Sequence, residues 1–577
     1  MKKRKSNSAE ALTERIDLSR REITARVRTA LDNLSSKKSV KYAVYLIAVA
    51  LFFALILLPP ILGIFLKWDT MQQVLSQPDR VSRALSAVEN SFTVALLVSA
   101  IDLVTGIPMA WLIARRKSKW INVLDTLSDI PFIVPTAVLG YSLLLFWSKP
   151  EGISALFGGS LVSPGWLLVV LLHFAFSYPI VVRVVVGALL DYKREYENAS
   201  RTLGAPPLTA SRTVIFPIIK PSLIAAFILA FARSISETGA TFIVAGLFEN
   251  GPVFIQNMKN DYAAGTVTQA VYEGSTVFAS FILIAVAIGI FFVIRVLGPR
   301  LKLPVRRVWP TFERKLSYSR AASSRDTVTL VIFLVIVLVP ALFVALPAFG
   351  AVLTDTLPKS LSGSGVWGEF WQGLITSYLL GGVVTILNVI MGLPMAIMIA
   401  RRKFGSLISG ILDVLVNIPL VVPSIALGVS LAIFWKANFA FIPEIWLLIF
   451  AHVAITYPYF VRSMSAAVER ISFDMEEASR TLGAKPLAVF RTIILPLTKY
   501  SILSGAIMVF TRSVSETGAT VAVVTTLKTA PVVLVNWVKH PEQFTSLETG
   551  LGSGFLILFS FLILLTLRFA VKGKGRY

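Results

Sequence analysis

Residues 42–66 read YAVYLIAVALFFALILLPPILGIFL, a run of 25 residues without a charge between Lys41 and Lys67. At 1.5 Å per residue, a helix of this length crosses a hydrocarbon core of about 30 Å. The composition extends this pattern to the whole chain, which has 577 residues, 55% hydrophobic and 15% charged, with a mean hydropathy of +0.75. Soluble domains carry about 25% charged residues. The composition therefore predicts an integral membrane protein and excludes a soluble multidomain enzyme.

Eleven further apolar stretches follow, which predicts an all-α, polytopic membrane protein of about twelve transmembrane helices. The predicted spans of the first half are 42–66, 89–113, 121–147, 165–190, 221–248 and 273–294. Those of the second half are 326–350, 370–399, 407–435, 444–468, 500–526 and 546–567.

The distribution of Lys and Arg predicts the orientation of these spans. With twelve spans both termini lie on one side, and the segments on that side hold 42 of the 55 Lys and Arg residues, against nine on the other side. By the positive-inside rule, both termini are predicted to be cytoplasmic, in a multi-pass protein of the cell membrane. The net charge of +23 then reflects topology, and no nucleic-acid partner is expected.

An internal repeat organises the chain. Ser200-Arg-Thr-Leu-Gly-Ala205 recurs as Ser479-Arg-Thr-Leu-Gly-Ala484, 279 residues later, and Arg233–Thr241 recurs at the same offset as Arg512–Thr520. Nearer the N-terminus the offset is 286, from Ala114-Arg-Arg-Lys117 to Ala400-Arg-Arg-Lys403. We therefore predict two parallel six-helix repeats. The predicted regions are a basic N-terminal arm (1–41), the first repeat (42–294), a linker (295–325), the second repeat (326–567) and a basic tail (568–577).

A basic loop of similar design lies between the fourth and fifth spans of each repeat. We call residues 192–217 the first motif loop and residues 471–496 the second motif loop. Gly204 and Gly483 are suited to the left-handed conformation that ends a helix, and Pro207 and Pro486 to the first turn of the next helix. The sequence predicts two short helices at an angle in each loop.

These loops resemble the signature of permease subunits of binding-protein-dependent ABC importers, which reads Glu-Ala-Ala, three residues, Gly, nine residues, Ile-x-Leu-Pro. The second motif loop departs from it only at Ser479, whereas the first has Asn198 for the glutamate, Val214 for Ile and Phe216 for Leu. The duplicated layout resembles the fused iron(III)- and thiamine-type permeases, with similarity to sulfate and molybdate permeases. The candidate ATPase-coupling residues are Asn198, Ala199, Ser200, Gly204, Pro207 and Pro217, and Glu477, Ala478, Ser479, Gly483, Pro486 and Pro496.

The resemblance implies a transport subunit rather than an enzyme. It implies two copies of an ATPase subunit, one for each motif loop, and an external solute-binding protein that delivers a small solute such as iron(III), an oxyanion or thiamine. The chain lacks a Gly-x4-Gly-Lys-Ser/Thr loop that would hold nucleotide phosphates, so no cofactor is expected in it, and ATP and Mg are expected on the partner. With no Cys and three His, neither a catalytic nor a metal site is predicted.

Charges inside the predicted fifth span form the second candidate site. Arg233 and Glu237, and their counterparts Arg512 and Glu516, are four residues apart and can meet on one helix face. A charge at this depth costs about 2.5–3.5 kcal/mol, so these residues face protein or water. They either line a substrate pathway or lock the span against its neighbours. Gly239 and Gly518 follow and allow close backbone approach or a break in the helix.

Other features leave alternatives open. The N-terminal arm is either an amphipathic helix on anionic lipid, through Leu12, Ile16, Ile23, Val27, Leu31 and Leu34, or a solvated arm. Asp102, Asp125 and Asp129 suit helix packing better than a proton relay, since two of the three are Asn in the second repeat. His173 and His452 are expected to be buried and hydrogen-bonded. The alternative function is a major-facilitator-type secondary transporter, which lacks its expected Gly-x-x-x-Asp-Arg loop here.

Overall fold

The computed structural model describes residues 26–27, 29–116, 118–297, 300 and 310–571, and within them the regular structure is helical, with no β-strand. The predicted C-terminal tail beyond residue 571, residues 298–299 and 301–309 of the predicted linker, and Leu12, Ile16 and Ile23 of the predicted arm lie outside the described residues.

Ten helices of the described chain are long and apolar enough to cross a membrane. They are Lys38–Phe65, Pro78–Arg115, Trp166–Asp191, Pro207–Ser236, Gln269–Ile294, Arg320–Val352, Val366–Ala400, Glu444–Glu469, Pro486–Val514 and Ser546–Ile563. An eleventh candidate is the pair Gly405–Val421 and Ser424–Asn438, bent by 104°. These eleven correspond to all the predicted spans except 121–147. The chain is therefore the polytopic all-α protein that its composition predicts.

Shorter helices connect the spans. They include Trp68–Leu75, Arg194–Thr202, Gly251–Ala263, Pro310–Leu316, Thr356–Leu361, Phe473–Thr481 and Ala530–Lys539. Pro207–Ala210 and Pro486–Val489 continue through a wider π turn into the long helices that follow them. Part of the predicted linker, from Pro310 onward, is thus helical.

The third span of each repeat is divided into shorter helices at its prolines. The first copy is divided into Lys119–Leu127, Ile130–Ile133 and Thr136–Ser148, and the chain is extended at Val134, before Pro135. The second copy breaks in the same way at Val422, before Pro423. A proline disfavours helical geometry in the residue that precedes it, so these prolines interrupt the helix rather than bend it.

The fifth span is also interrupted. The long helix ends at Ser236, Glu237 has an extended backbone, and a new helix runs from Gly239 to Val244. The second copy ends at Val514 and restarts as Gly518–Val523. A break at Gly239 and Gly518 is one of the two roles that the sequence suggests for these glycines.

The chain packs as two compact units, and each contains residues of both repeats. The smaller unit comprises residues 1–54, 386–416 and 459–508, and it contains the second motif loop. The larger comprises residues 55–385, 417–458 and 509–577, and it contains the first motif loop and both breaks of the fifth span. The core of the larger unit includes fully buried Phe176, Tyr178, Phe231, Trp367 and Trp537.

Candidate functional site

The first motif loop has the helix–glycine–helix geometry that the sequence predicts. The helix Arg194–Thr202 ends before Gly204, which has φ +88°, and Pro207 begins the next helix. A Cβ on Gly204 would meet no atom within 4 Å, so the backbone conformation, rather than lack of space, favours glycine here. Leu203, at the tip, is 88% exposed. The loop therefore presents an apolar tip on a stiff turn.

The second motif loop repeats this geometry within the smaller unit. The helix Phe473–Thr481 ends before Gly483 at φ +87°, Pro486 begins the next helix, and Leu482 is 89% exposed. Among the other predicted coupling residues, Ala199, Ala478, Asn198 and Glu477 are exposed, Ser200 and Ser479 are half-buried, and Pro217 and Pro496 lie at the start of the long fifth-span helices. The two loops thus agree in backbone around the identical stretches 199–205 and 478–484.

A buried ion pair holds each motif loop to the end of the second span or the turn after it. In the first loop, Arg115 Nη2 lies 2.7 Å from Glu197 Oε2, and the guanidinium packs over the ring of Tyr192. The hydroxyl of Tyr192 donates a 2.5 Å hydrogen bond to Glu197. Burial and this hydrogen bond raise the pKa of Tyr192, so the phenol stays protonated and remains a donor at neutral pH.

The second motif loop has the equivalent pair. Arg401 Nε lies 2.8 Å from Glu476 Oε1, and the side chains are only 8% and 2% exposed. Arg401 also donates a 2.9 Å hydrogen bond to the carbonyl of Ile471. The loop helix is therefore attached through one carboxylate to the arginine that follows the second span.

Sequence reasoning missed these glutamates because the family signature directs attention to the next residue. The motif position is Glu477 in the second repeat and Asn198 in the first, and both are exposed. The signal was present in the repeat itself: Glu197 and Glu476 are identical at the offset of 279, and Arg115 and Arg401 at the offset of 286. A glutamate and an arginine that are both retained in the two repeats indicate an ion pair, which the family signature alone does not show.

The two breaks of the fifth span meet in a polar cluster, which we call the broken-helix cluster. Its ten residues surround about 120 Å³ of space between atoms, and no part of this space is wide enough for a water molecule. They are Thr136, Ser236, Glu237, Thr238, Gly239, Ser424, Arg512, Ser515, Glu516 and Thr517. Both repeats therefore contribute to one tightly packed polar cluster in the larger unit.

Both predicted ion pairs are present at the cluster. Arg233 Nη1 lies 2.8 Å from Glu237 Oε2, and Arg512 Nη1 lies 2.6 Å from Glu516 Oε2. The glutamate side chains are 2% exposed. The other oxygen of Glu237 accepts the backbone N–H of Ala240 at 3.1 Å, as Glu516 accepts that of Ala519 at 3.0 Å. Each carboxylate therefore links the arginine before the break to the helix that restarts after it.

The third-span breaks contribute to the same cluster. Thr136, directly after Pro135, donates to the carbonyl of Ser515 at 3.4 Å. Its counterpart Ser424, directly after Pro423, donates to the carbonyl of Ser236 at 3.2 Å. These bonds are equivalent under the repeat, because residues 236 and 515 are 279 apart. Each third-span break therefore binds the fifth-span break of the other repeat.

Gly239 and Gly518 allow the two breaks to approach closely. A Cβ on Gly239 would lie 2.4 Å from Oγ1 of Thr517, and a Cβ on Gly518 would lie 2.6 Å from Cβ of Thr238. Real Cβ atoms do not tolerate such distances, so any side chain here would force the repeats apart. Close approach and the helix break, the two roles suggested by the sequence, thus occur together.

The histidines and aspartates that the sequence singles out have structural partners. His173 pairs through its two ring nitrogens with Ser234 and Thr241 at 2.8 and 2.9 Å. His452 pairs in the same way with Ser513 and Thr520, which confirms the expectation of satisfied buried histidines. Arg183 pairs with Asp125 and Asp129, and Asp102 accepts from Ser177. These contacts fit helix packing, the interpretation that the sequence favours for the aspartates.

Comparison with known proteins matches two parts of the chain to one family. Residues 106–303 and 392–573 each match the family described as binding-protein-dependent transport system inner membrane component. The sulfate transport system permease protein CysT of Salmonella typhimurium is 31% identical over 238 residues, which are 38% of this chain and 83% of the relative. CysT of Synechococcus elongatus is 31% identical over 258 residues, 43% of this chain and 88% of the relative.

An archaeal protein is similar over a comparable length. The molybdate/tungstate transport system permease protein WtpB of Pyrococcus abyssi is 26% identical over 255 residues, which are 44% of this chain and 95% of the relative. Nearly a whole relative therefore aligns with less than half of this chain. The two family matches and these proportions agree with a duplicated permease, as the repeat predicts.

Proposed function

Since the chain belongs to the inner membrane components of binding-protein-dependent transport systems, and is thus a permease subunit of an ABC importer, we propose that it imports a tetrahedral oxyanion. The substrate class follows from its relatives, which are named as sulfate and as molybdate/tungstate permeases. In this proposal an external binding protein delivers the anion, and ATP hydrolysis on separate subunits drives its passage. Both termini face the cytoplasm, which the Lys and Arg asymmetry supports.

The two motif loops are the proposed docking elements for the ATPase, one copy per loop. The observation that carries this is the matching geometry of Gly204 and Gly483, at φ +88° and +87°, at the same position of each loop. Exposed Leu203 and Leu482 supply an apolar tip to insert into a partner. The buried pairs of Glu197 and Glu476 make each loop stiff enough to transmit a push to the spans.

The broken-helix cluster is the proposed substrate constriction. It is closed in this structure, its lining is rich in Ser and Thr hydroxyls, and its buried arginines are balanced by glutamates. Hydroxyls can donate hydrogen bonds to a passing anion, and a balanced Arg/Glu pair attracts it without holding it tightly. Alternating access then requires separation of the two fifth-span breaks, with rigid-body movement of helices around them.

Reconstitution in vesicles tests the proposal. The chain is purified together with its ATPase and supplied with its binding protein, and uptake of radiolabelled sulfate and of molybdate is measured with ATP inside. ATP-dependent uptake that competes between the two anions supports the proposal. Uptake by the chain alone, driven by an ion gradient, would refute the permease role. ATP-dependent uptake of a cation or of thiamine in place of either anion would refute the substrate class only.

A further inference from the structure

Helical residues 29–36, which precede the first span, lie against the second motif loop. The Oγ of Ser35 accepts the backbone N–H of Leu487 at 3.2 Å, and Asp32 Oδ2 lies 3.3 Å from Arg491 Nη2. The side chain of Lys485 donates to Asn33. All of these residues belong to the smaller unit. The segment before the first repeat therefore contacts the loop of the second repeat.

The segment before the second repeat makes the equivalent contacts within the larger unit. The helix Pro310–Leu316 and the residue after it lie against the first motif loop. The Oγ of Ser317 accepts the N–H of Leu208 at 3.3 Å, and Glu313 Oε1 lies 2.7 Å from Arg212 Nε. Leu208 and Arg212 correspond to Leu487 and Arg491 at the repeat offset of 279. Both loops are thus held at the same two positions by segments of different sequence.

These contacts supply what the loop helices lack. The helices that begin at Pro207 and Pro486 have Pro206 and Lys485 at their N-caps, and neither side chain caps the helix. The N–H groups of the first turn have no partner within a helix, and a Ser oxygen near the second or third N–H normally satisfies one. Ser317 and Ser35 do this from a distant part of the chain. Asp32 and Glu313, three or four residues before these serines, pair with Arg491 and Arg212, one turn further along each loop helix.

We propose that Asp32 and Ser35, and Glu313 and Ser317, are positioning residues for coupling to the ATPase. Each segment runs directly into the first span of one repeat while it caps and orients the loop helix of the other repeat. A push on either loop therefore reaches the first span of the opposite repeat, so the two halves respond together. This inference rests on the proposed docking role of the motif loops.

The test compares Ser35→Ala and Ser317→Ala, singly and together, with Ser36→Ala as the matched control. Ser36 is exposed, and among the described residues its side chain donates to the carbonyl of Asn33, within its own segment. The readouts are the affinity of the purified ATPase for the permease and the number of ATP molecules hydrolysed per solute imported. Loss of a helix cap is expected to weaken ATPase binding about fivefold and to raise the ATP cost of import, whereas Ser36→Ala leaves both unchanged.

A charge swap separates positioning from general stability. Asp32→Arg and Arg491→Asp should each raise the ATP-to-solute ratio, and the double variant should restore it. If the ATP-to-solute ratio of the double variant is as high as that of the worse single variant, the proposal is overturned. If the wild-type permease binds no ATPase, the docking role itself fails. If the wild type binds ATPase and all the variants match it, only the positioning role fails.

Because the chain has no cysteine, a cross-link gives an independent test. Asn33→Cys with Lys485→Cys places one thiol on each side of the contact, to be joined by a short bifunctional maleimide. If the segment moves with its loop, the cross-linked double variant is expected to transport solute at a rate close to that of the same variant without the cross-link. Loss of uptake on joining would show that the two must separate, which overturns the proposal.

Discussion

Replacement of Glu476 by Gln should release the second motif loop. The carboxylate is 2% exposed and lies 2.8 Å from Arg401, so the variant keeps the shape of the side chain but leaves the arginine charge buried without its carboxylate. Breaking a buried pair by removal of one partner costs about 3–5 kcal/mol. Arg401 retains its hydrogen bond to the carbonyl of Ile471, so we expect the lower end, about 3 kcal/mol.

That cost should appear in the local opening of the loop. Since about 1.4 kcal/mol corresponds to a factor of ten, the fraction of undocked loop should rise roughly 100-fold. Hydrogen exchange of the amides in Phe473–Thr481 measures this opening directly. The matched control is Glu477→Gln, because Glu477 is exposed and a surface change of this kind alters stability by less than about 0.5 kcal/mol.

A reversed order of the two variants would contradict this expectation. If Glu477→Gln opened the loop and Glu476→Gln did not, the signature residue Glu477 would hold the loop. The buried position of Glu476 would then not indicate a role in docking. Glu197→Gln provides a replicate in the other loop, where Arg115 and Tyr192 would lose the charge of the carboxylate that they share. We expect a comparable rise in exchange over Arg194–Thr202.

Three further predictions follow from the glycines and the buried charges. Gly483→Ala should weaken ATPase binding about tenfold, because a left-handed backbone costs an L-residue about 1–2 kcal/mol. Gly483→Asn should lose less binding affinity than Gly483→Ala. Equal binding by both variants and the wild type would contradict this prediction. Gly239→Ala should lower the free energy of unfolding by about 1–3 kcal/mol through overpacking against Thr517. Gly187→Ala is the control, because a Cβ there meets no atom within 4 Å, and it should leave the free energy of unfolding no lower. Glu237→Gln combined with Glu516→Gln should abolish uptake while ATPase binding persists; a loss of both would indicate that the pairs only hold the fold.

Much of this protein could be predicted from short stretches of sequence. The membrane class, the repeat and most of the spans follow from uninterrupted apolar runs and from motifs at a fixed offset. The turns of the motif loops follow from Gly204 and Gly483, because a glycine with proline three residues later ends one helix and begins another largely by local sterics. The buried Arg/Glu pairs at the fifth span also follow, since partners four residues apart in the chain stay within reach of each other even though each glutamate lies just past the end of its helix.

Tertiary structure decided the partners that lie far apart in the chain. Within one repeat, nothing near Glu476 in sequence indicates that it, rather than Glu477, turns toward Arg401, because the direction depends on how the loop helix packs. The hydrogen bond from Thr136 to the carbonyl of Ser515, and the capping of Leu208 by Ser317, join residues more than 100 positions apart. Local sterics constrain a few neighbouring residues, whereas such contacts exist only once the helices have packed in one register.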